Sequence, residues 1–160
     1  MIGEAHVSGW RVVTTLIVGL ALAVLPAPRV LDILRPDFLL LIVIYWSLRT
    51  PRFAGLMFAW LCGLSIDALQ GIVLGQHALG FLVVGAFAHR WQLRLRIFPI
   101  WQQASAVLAM LFVYEMLMFY VDGIVGQPVV TWLRFLPVLT GALIWPILVA
   151  TLDTWNRRRR

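Results

Sequence analysis

The sequence predicts an all-α integral membrane protein, a bundle of six short helices with both termini in the cytoplasm. Three observations carry this prediction. Apolar residues (AVILMFWYC) make up 62% of the 160 residues and charged residues only 12%, with a mean hydropathy of +0.91. Soluble domains carry about twice that charged fraction. Six apolar runs follow one another, and the 13 basic residues, all Arg, fall mainly on one side of them.

The candidate spans of this single transmembrane domain are residues 12–28, 37–48, 53–70, 76–91, 101–121 and 135–153. A bilayer core of about 30 Å needs roughly 20 helical residues. Pro26 and Pro28 end the first span, and Pro99 precedes the fifth. The second span is too short to cross alone. We expect it to gain length from the segment before it, with Pro36 in its first helical turn, where a missing N–H costs nothing.

The arginines set the predicted orientation. With the N-terminus inside, ten of them lie in cytoplasmic segments, namely Arg11, Arg49, Arg52, Arg90, Arg94, Arg96, Arg157, Arg158, Arg159 and Arg160. Three lie in outer segments, namely Arg29, Arg35 and Arg134. Basic residues concentrate on the cytoplasmic side of membrane proteins, so both termini are predicted to lie inside.

Three of these arginines lie at and just after the end of the fourth span, in a stretch that also contains apolar residues. Arg90, Arg94 and Arg96 are therefore candidate interfacial basic residues along the inner headgroups. The pattern fits ordinary anchoring to anionic membrane lipid, and it also fits a docking surface for a cytosolic partner.

Small residues recur every four positions along the third span, with one acid among them: Gly55, Ala59, Gly63, Asp67, Gly71 and Gly75. Positions four apart lie on nearly the same face of a helix. A column of this kind lets another backbone approach closely, which is how helices associate in lipid. The pattern predicts a helix-packing face within the bundle or, alternatively, a face for a partner's transmembrane helix.

Two acidic residues lie deep in the predicted spans. Asp67 is 15 residues beyond Arg52 and Glu115 is 14 beyond Trp101, so at about 1.5 Å per residue both lie in the outer third of the bilayer. A charge there costs on the order of 3 kcal/mol and is expected to be paired inside the bundle. The predicted buried polar cluster comprises Arg35, Asp37, Asp67, His77, Glu115 and Arg134, with the arginines as candidate counter-ions. Ion pairing that fixes the bundle, a ligand or ion site, and a partner contact all remain open for it.

Catalysis is not expected. The sequence contains no nucleophile elbow, HExxH motif, Cys–His pairing or phosphate-binding glycine loop. The single Cys62 excludes an intrachain disulfide and Cys-based metal sites, and the three histidines lack metal-motif spacing. No cofactor or metal is predicted. No nucleic-acid partner is predicted either, because the arginines punctuate apolar runs and form no basic stripe.

Five motifs occur in order along the chain: RPDF at 35–38, YW at 45–46, GLSIDALQG at 63–71, LGQHAL at 74–79 and FPIWQQ at 98–103. Together they resemble the proteobacterial members of the rod shape-determining MreD family, over essentially the whole chain. Each motif is weak alone, and their order and spacing carry the resemblance.

The resemblance implies a non-enzymatic, multi-pass scaffold in the bacterial inner membrane, within the machinery that elongates the peptidoglycan cell wall and maintains rod shape. It implies MreC as a partner and, through MreC, the MreB filaments, the glycosyltransferase RodA and the elongation transpeptidase. A homodimer is a further expectation. The resemblance also implies a fold similar to the S component of energy-coupling-factor transporters. The alternative function is therefore a small-molecule or lipid-binding membrane module of the S-component kind.

Overall fold

The helices of the protein follow the six apolar runs. The computed structural model describes residues 9–26, 28, 33–50, 54–126 and 132–157, and every regular element within them is helical. The α-helices are α1 (Gly9–Val24), α2 (Phe38–Arg49), α3 (Leu56–Gln70), α4 (Gln76–Leu95), α5 (Ile100–Val125) and α6 (Leu136–Arg157). A 3-10 helix, Trp132–Phe135, leads into α6. The prediction of an all-α architecture with six helices is confirmed.

Two segments, Ile100–Val125 and Trp132–Asn156, are long and apolar enough to cross a membrane, judged by length and composition. Three other apolar helices are shorter, since α1, α2 and α3 have 16, 12 and 15 residues.

The shortest helix, α2, forms the centre of the bundle. Residues 39–48 of this helix are all buried, as expected for a helix that is hydrophobic on every side. It contacts α1, α3, α4 and α6. The other helices form a ring around it, with α1 beside α3, α3 beside α4, α4 beside α5 and α5 beside α6. At 12 residues, α2 is about 18 Å long and is shorter than a bilayer core.

Charged residues cap both ends of α2. Asp37 is its N-cap, and the carboxylate accepts a hydrogen bond from the Leu40 N–H at 3.2 Å. At the other end, the Arg96 guanidinium donates to the carbonyl oxygens of Leu48 and Arg49. An acid at the N-terminus and a base at the C-terminus both complement the helix dipole. The expectation that Pro36 lies in the first helical turn is wrong, because the helix begins after Asp37 and Pro36 precedes the cap.

The two ends of the bundle hold different residues. The terminal end contains the start of α1 and the end of α6, where Arg11 donates to the carbonyl oxygen of Asn156 at 3.1 Å. The first turn of α1 and the last turn of α6 therefore lie on the same side of the bundle. The opposite end, called the cavity end below, contains the start of α2, the turn between α3 and α4, and Arg134.

Glycines shape the turn between α3 and α4. Gly71 has φ +65° and ends α3, and Gly75 has φ +105° directly before α4. Both values lie in the left-handed region that glycine adopts without steric cost. This short turn places α4 antiparallel beside α3, so the start of α4 returns past the last turn of α3.

Candidate functional site: a polar cavity at one end of the bundle

Asp67 caps a helix that it does not belong to. Its side chain lies in the last turn of α3 and is fully buried. The carboxylate accepts hydrogen bonds from the backbone N–H groups of Gly75 at 2.8 Å, His77 at 2.9 Å and Ala78 at 3.3 Å. These are first-turn N–H groups of α4, which have no partners within their own helix. The N-cap residue, Gly75, has no side chain to supply them, and Asp67 does so from the neighbouring helix.

The ring of His77 completes this arrangement. Its Nδ1 lies 2.9 Å from Asp67 Oδ1, so the carboxylate fixes the orientation of the imidazole. The positive end of the α4 dipole faces the same carboxylate. The carboxylate of Asp67 is thus satisfied by a helix end and a histidine ring nitrogen, and Arg134, one of the two predicted counter-ions, binds other acids.

Arg134 joins two acids of α5. Its guanidinium binds Glu115, and it also contacts Asp122 at 2.5 Å. The two acids are seven residues apart, which is two helical turns on one face. Asp122 also accepts a hydrogen bond at 2.6 Å from the side-chain amide of Gln76, at the start of α4. Glu115 and Arg134 were both in the predicted cluster, Arg134 as a candidate counter-ion, whereas Asp122 and Gln76 were not among the candidates.

A cavity of about 290 Å³ opens between these groups. Five of the six residues in the predicted polar cluster line it: Arg35, Asp37, His77, Glu115 and Arg134. The sixth, Asp67, lies directly behind His77. Every α-helix contributes to the wall, since Ala23 of α1, Ile66 of α3 and Pro137 of α6 also line it. The structure thus brings together polar residues that are up to about a hundred positions apart in the sequence.

Tyr114 lines the cavity and was not predicted. Its hydroxyl lies close to the Asp37 carboxylate, and its ring lies 6.3 Å from that of His77. Gly80 of α4 makes room for it, because a Cβ at Gly80 would come within 2.7 Å of the Tyr114 ring and 2.8 Å of Met118. A tyrosine within an apolar helix gives little signal in the sequence. Its position next to Glu115 was nevertheless a signal that could have identified it.

The small-residue column packs inside the chain. A Cβ on Gly63 would lie 2.5 Å from the Cα of Ala78, and a Cβ on Gly85 would lie 2.6 Å from that of Ala59. This face of α3 is therefore covered by α4, as the helix-packing alternative requires. Three members lie outside the helix: Gly55 precedes it, and Gly71 and Gly75 belong to the turn after it. The regular four-residue spacing predicted a longer column than the helix contains. The left-handed turn that begins at Gly71 ends α3 at Gln70.

The interfacial arginines divide into two kinds. Helix α4 continues four residues past the predicted span end at 91, so Arg90 and Arg94 are helical and exposed. Arg96 is folded onto the end of α2, where its guanidinium binds carbonyl oxygens. Anchoring at the headgroups thus remains a prediction for Arg90 and Arg94, while Arg96 has a structural role.

A second polar network closes the terminal end. Asp153 of α6 accepts hydrogen bonds from the Tyr45 hydroxyl at 2.7 Å and from Arg49 at 2.6 Å. Asn156 donates to the Tyr45 oxygen at 3.1 Å and binds Arg11. The space beside this network is about 10 Å³, enough for about one water. None of these contacts was predicted.

The chemistry that the cavity offers is recognition of a charged group. Its wall carries guanidinium, carboxylate, imidazole and phenol groups beside apolar side chains. Within the part of the chain that the structure describes, no three His, Cys, Asp or Glu side chains are grouped as a metal site requires.

Comparisons with known proteins give one family. The family model of the rod shape-determining protein MreD matches residues 6–154. The curated rod shape-determining protein MreD of Haemophilus influenzae is 27% identical over 137 residues, which cover 86% of this chain and 85% of that protein. No solved structure matches the chain. The expected similarity to an S component therefore stays a prediction.

Proposed function

Because this chain belongs to the rod shape-determining MreD family of non-enzymatic membrane proteins, we propose that it is a multi-pass scaffold of the cell-wall elongation machinery in a bacterial inner membrane. The observation that carries the proposal is the family match from residue 6 to residue 154, which reaches from before α1 into α6. The resemblance in the motifs adds MreC as direct partner, with MreB, RodA and the elongation transpeptidase connected through it.

The orientation with both termini inside is part of this proposal. The ten-to-three distribution of arginines supports it. The hydrogen bond between Arg11 and Asn156 supports it too, since it keeps the first turn of α1 and the last turn of α6 on one side. Reporter fusions that are active only in the cytoplasm are expected to function at either terminus, and activity at one terminus alone contradicts the orientation.

The docking surface for MreC lies on the outside of the ring in this proposal. The glycine face of α3 is occupied by α4, so a partner helix has to use side chains that point away from the bundle. Each ring helix presents such a side chain: Ile17 on α1, Leu61 on α3, Leu79 on α4, Val113 on α5 and Leu143 on α6. A lipid-facing position tolerates tryptophan, whereas a helix–helix contact does not.

The test is purification with MreC in mild detergent, followed by mass spectrometry of the intact complex. A complex that contains both chains is expected, and its mass also gives the stoichiometry and reveals a homodimer. Five single variants, Ile17→Trp, Leu61→Trp, Leu79→Trp, Val113→Trp and Leu143→Trp, then locate the surface. Loss of MreC binding is expected for the variants on one or two adjacent ring helices, and the remaining variants serve as matched controls.

Two results would contradict the scaffold proposal. One is failure of the intact wild-type protein to co-purify with MreC in any of the detergents tested. The other is an unchanged rod shape in the source bacterium when the gene is depleted. Gly63→Leu is not a docking test, since the added side chain meets the backbone of α4 and separates two helices of the bundle itself.

A further inference from the structure

The cavity at the cavity end of the bundle is not explained by a scaffold role. Its volume of about 290 Å³ is near the lower end of the range for small-ligand sites, about 300–1,000 Å³. It is open at the cavity end, and its polar groups converge from several helices. The polar network at the terminal end, by contrast, has a space of only about 10 Å³ beside it.

Both signs of charge line the cavity. Its lining includes two carboxylates, Asp37 and Glu115, and two arginines, Arg35 and Arg134. Two further carboxylates lie outside this lining and have partners there, since Asp67 accepts from the α4 N-terminus and Asp122 contacts Arg134. A ligand that carries a positive and a negative group would complement the lining.

The acidic and aromatic lining residues suit an ammonium group. Asp37 and Glu115 are carboxylates that accept charge-assisted hydrogen bonds. Tyr114 and Phe38 bring aromatic rings to the same lining, and a ring face attracts a cation within about 6 Å of its centroid. Arg35, which precedes α2, also lines the cavity; it donates to the Leu25 carbonyl oxygen at 2.6 Å, and its planar guanidinium is of the kind that binds phosphate oxygens. A ligand with an ammonium group and a phosphate therefore matches both signs of charge.

We propose that this cavity binds the headgroup of a zwitterionic aminophospholipid, with the ammonium against Asp37 and Glu115 and the phosphate against Arg35. The apolar lining residues Ile66 and Met118 fit the start of a lipid tail, which a soluble ligand does not carry. The same headgroup chemistry exists free in solution as phosphoethanolamine, and the experiment distinguishes the two sources. The inference goes beyond the scaffold role and does not depend on MreC.

The experiment uses the full chain, purified in mild detergent and mixed with phosphatidylethanolamine and phosphatidylglycerol of identical acyl chains. Native mass spectrometry counts the bound lipid of each kind. Phosphatidylethanolamine is expected to bind at least about tenfold more tightly, since only it supplies the charge-assisted ammonium bonds. Free phosphoethanolamine is the competitor: weak competition assigns the site to the lipid, and competition at equal affinity assigns the same chemistry to a soluble ligand.

Two variants separate the two halves of the headgroup. Asp37→Asn is expected to weaken phosphatidylethanolamine about tenfold and to leave phosphatidylglycerol unchanged, because only the ammonium partner is lost. Arg35→Gln is expected to weaken both lipids. Asn caps a helix about as well as Asp, so α2 should still begin at residue 38, and the thermal midpoint without lipid verifies this.

Asp153→Asn is the matched control, because it makes the same chemical change at the terminal end. It is expected to bind both lipids as the wild type does. Equal binding of the two lipids by the wild type, or full lipid selectivity in Asp37→Asn, would overturn the proposal. Equal loss of selectivity in Asp153→Asn would overturn it as well, since the effect would then have no connection with the cavity.

Discussion

The two ends of the bundle use similar residues to opposite effect. At the terminal end, Tyr45, Arg49, Asp153 and Asn156 bind one another and leave space for about one water. At the cavity end, arginines and carboxylates are also paired, yet a volume of about 290 Å³ remains between them. Composition alone therefore does not decide whether a polar cluster is closed or open.

The difference comes from how each cluster obtains its partners. The terminal network links the side chains of three helices, α1, α2 and α6, so its members draw the helices together. At the cavity end, Asp67 takes backbone N–H groups and Arg134 takes two acids of a single helix. These contacts, like that of Gln76 of α4 with Asp122 of α5, join helices that are neighbours around the cavity, so they satisfy the charges and leave its centre open. An open cavity is compatible with a stable end because of this.

The largest effect is expected at Asp67. Asp67→Ala removes an acceptor that serves three backbone N–H groups and the His77 ring, and these donors become unsatisfied in a buried site. The loss is expected to lower the free energy of unfolding by about 3–5 kcal/mol, a value typical of breaking a buried charged network. SDS titration of the purified protein in detergent measures it.

Asp67→Asn and Asp153→Ala are the comparisons for this prediction. Asn keeps one carbonyl oxygen, so it is expected to cost about 1–2 kcal/mol. Asp153 is partly exposed, and its removal is expected to cost about 1–2 kcal/mol as well. If Asp67→Ala costs no more than Asp153→Ala, the α4 N-terminus does not depend on Asp67.

The contact of α3 with α4 gives the next effect. Gly63→Ala places a Cβ 2.5 Å from the Cα of Ala78 and 2.8 Å from the His77 carbonyl oxygen, and backbone atoms cannot move aside as a flexible side chain can. We expect a loss of about 1–3 kcal/mol, typical of overpacking. Gly123→Ala in α5 is the control, since nothing lies within 4 Å of its Cβ. A cost at Gly123 equal to that at Gly63 would assign the effect to backbone flexibility.

Much of this fold was predictable, because proline, glycine and arginine interrupt the apolar runs. The second span was predicted at 37–48 and α2 is Phe38–Arg49. The polar cluster was predictable for a related reason: ionisable residues within apolar helices are few, and each must find a partner away from lipid. Position in the predicted spans was enough to group Asp37, His77 and Glu115 at one end.

The partners themselves were less predictable. The bonds of Asp67 depend on the left-handed turn at Gly71 and Gly75, and no spacing rule gives its geometry. Asp122 was missed because the fifth span was ended at residue 121, one turn too early. Its seven-residue spacing from Glu115 was a usable signal. The terminal network was missed because Tyr45 and Asp153 are 108 residues apart and neither is unusual at a span end.

A smaller effect is expected from Tyr45, which holds the terminal end closed. Tyr45→Phe removes the hydroxyl that donates to Asp153 and accepts from Asn156, while the buried ring is retained. The expected loss is about 1 kcal/mol, the usual contribution of one such hydrogen-bonding group. Thermal unfolding in detergent detects it. No change in Tyr45→Phe, together with a clear loss in Asp153→Ala, would place the stabilisation in the Arg49–Asp153 pair.

The smallest effect distinguishes two arginines that are only two residues apart. Arg96 binds the last carbonyl oxygens of α2, whereas Arg94 is exposed. Arg96→Gln is expected to cost about 0.5–1 kcal/mol, the size of a charge at a helix C-terminus. Arg94→Gln is expected to stay within about 0.5 kcal/mol, as surface changes do. Both losses of unfolding free energy are measured side by side in detergent. Equal losses would show that the terminal end needs no bond from Arg96, so that the contacts among α1, α2 and α6 stabilise it alone.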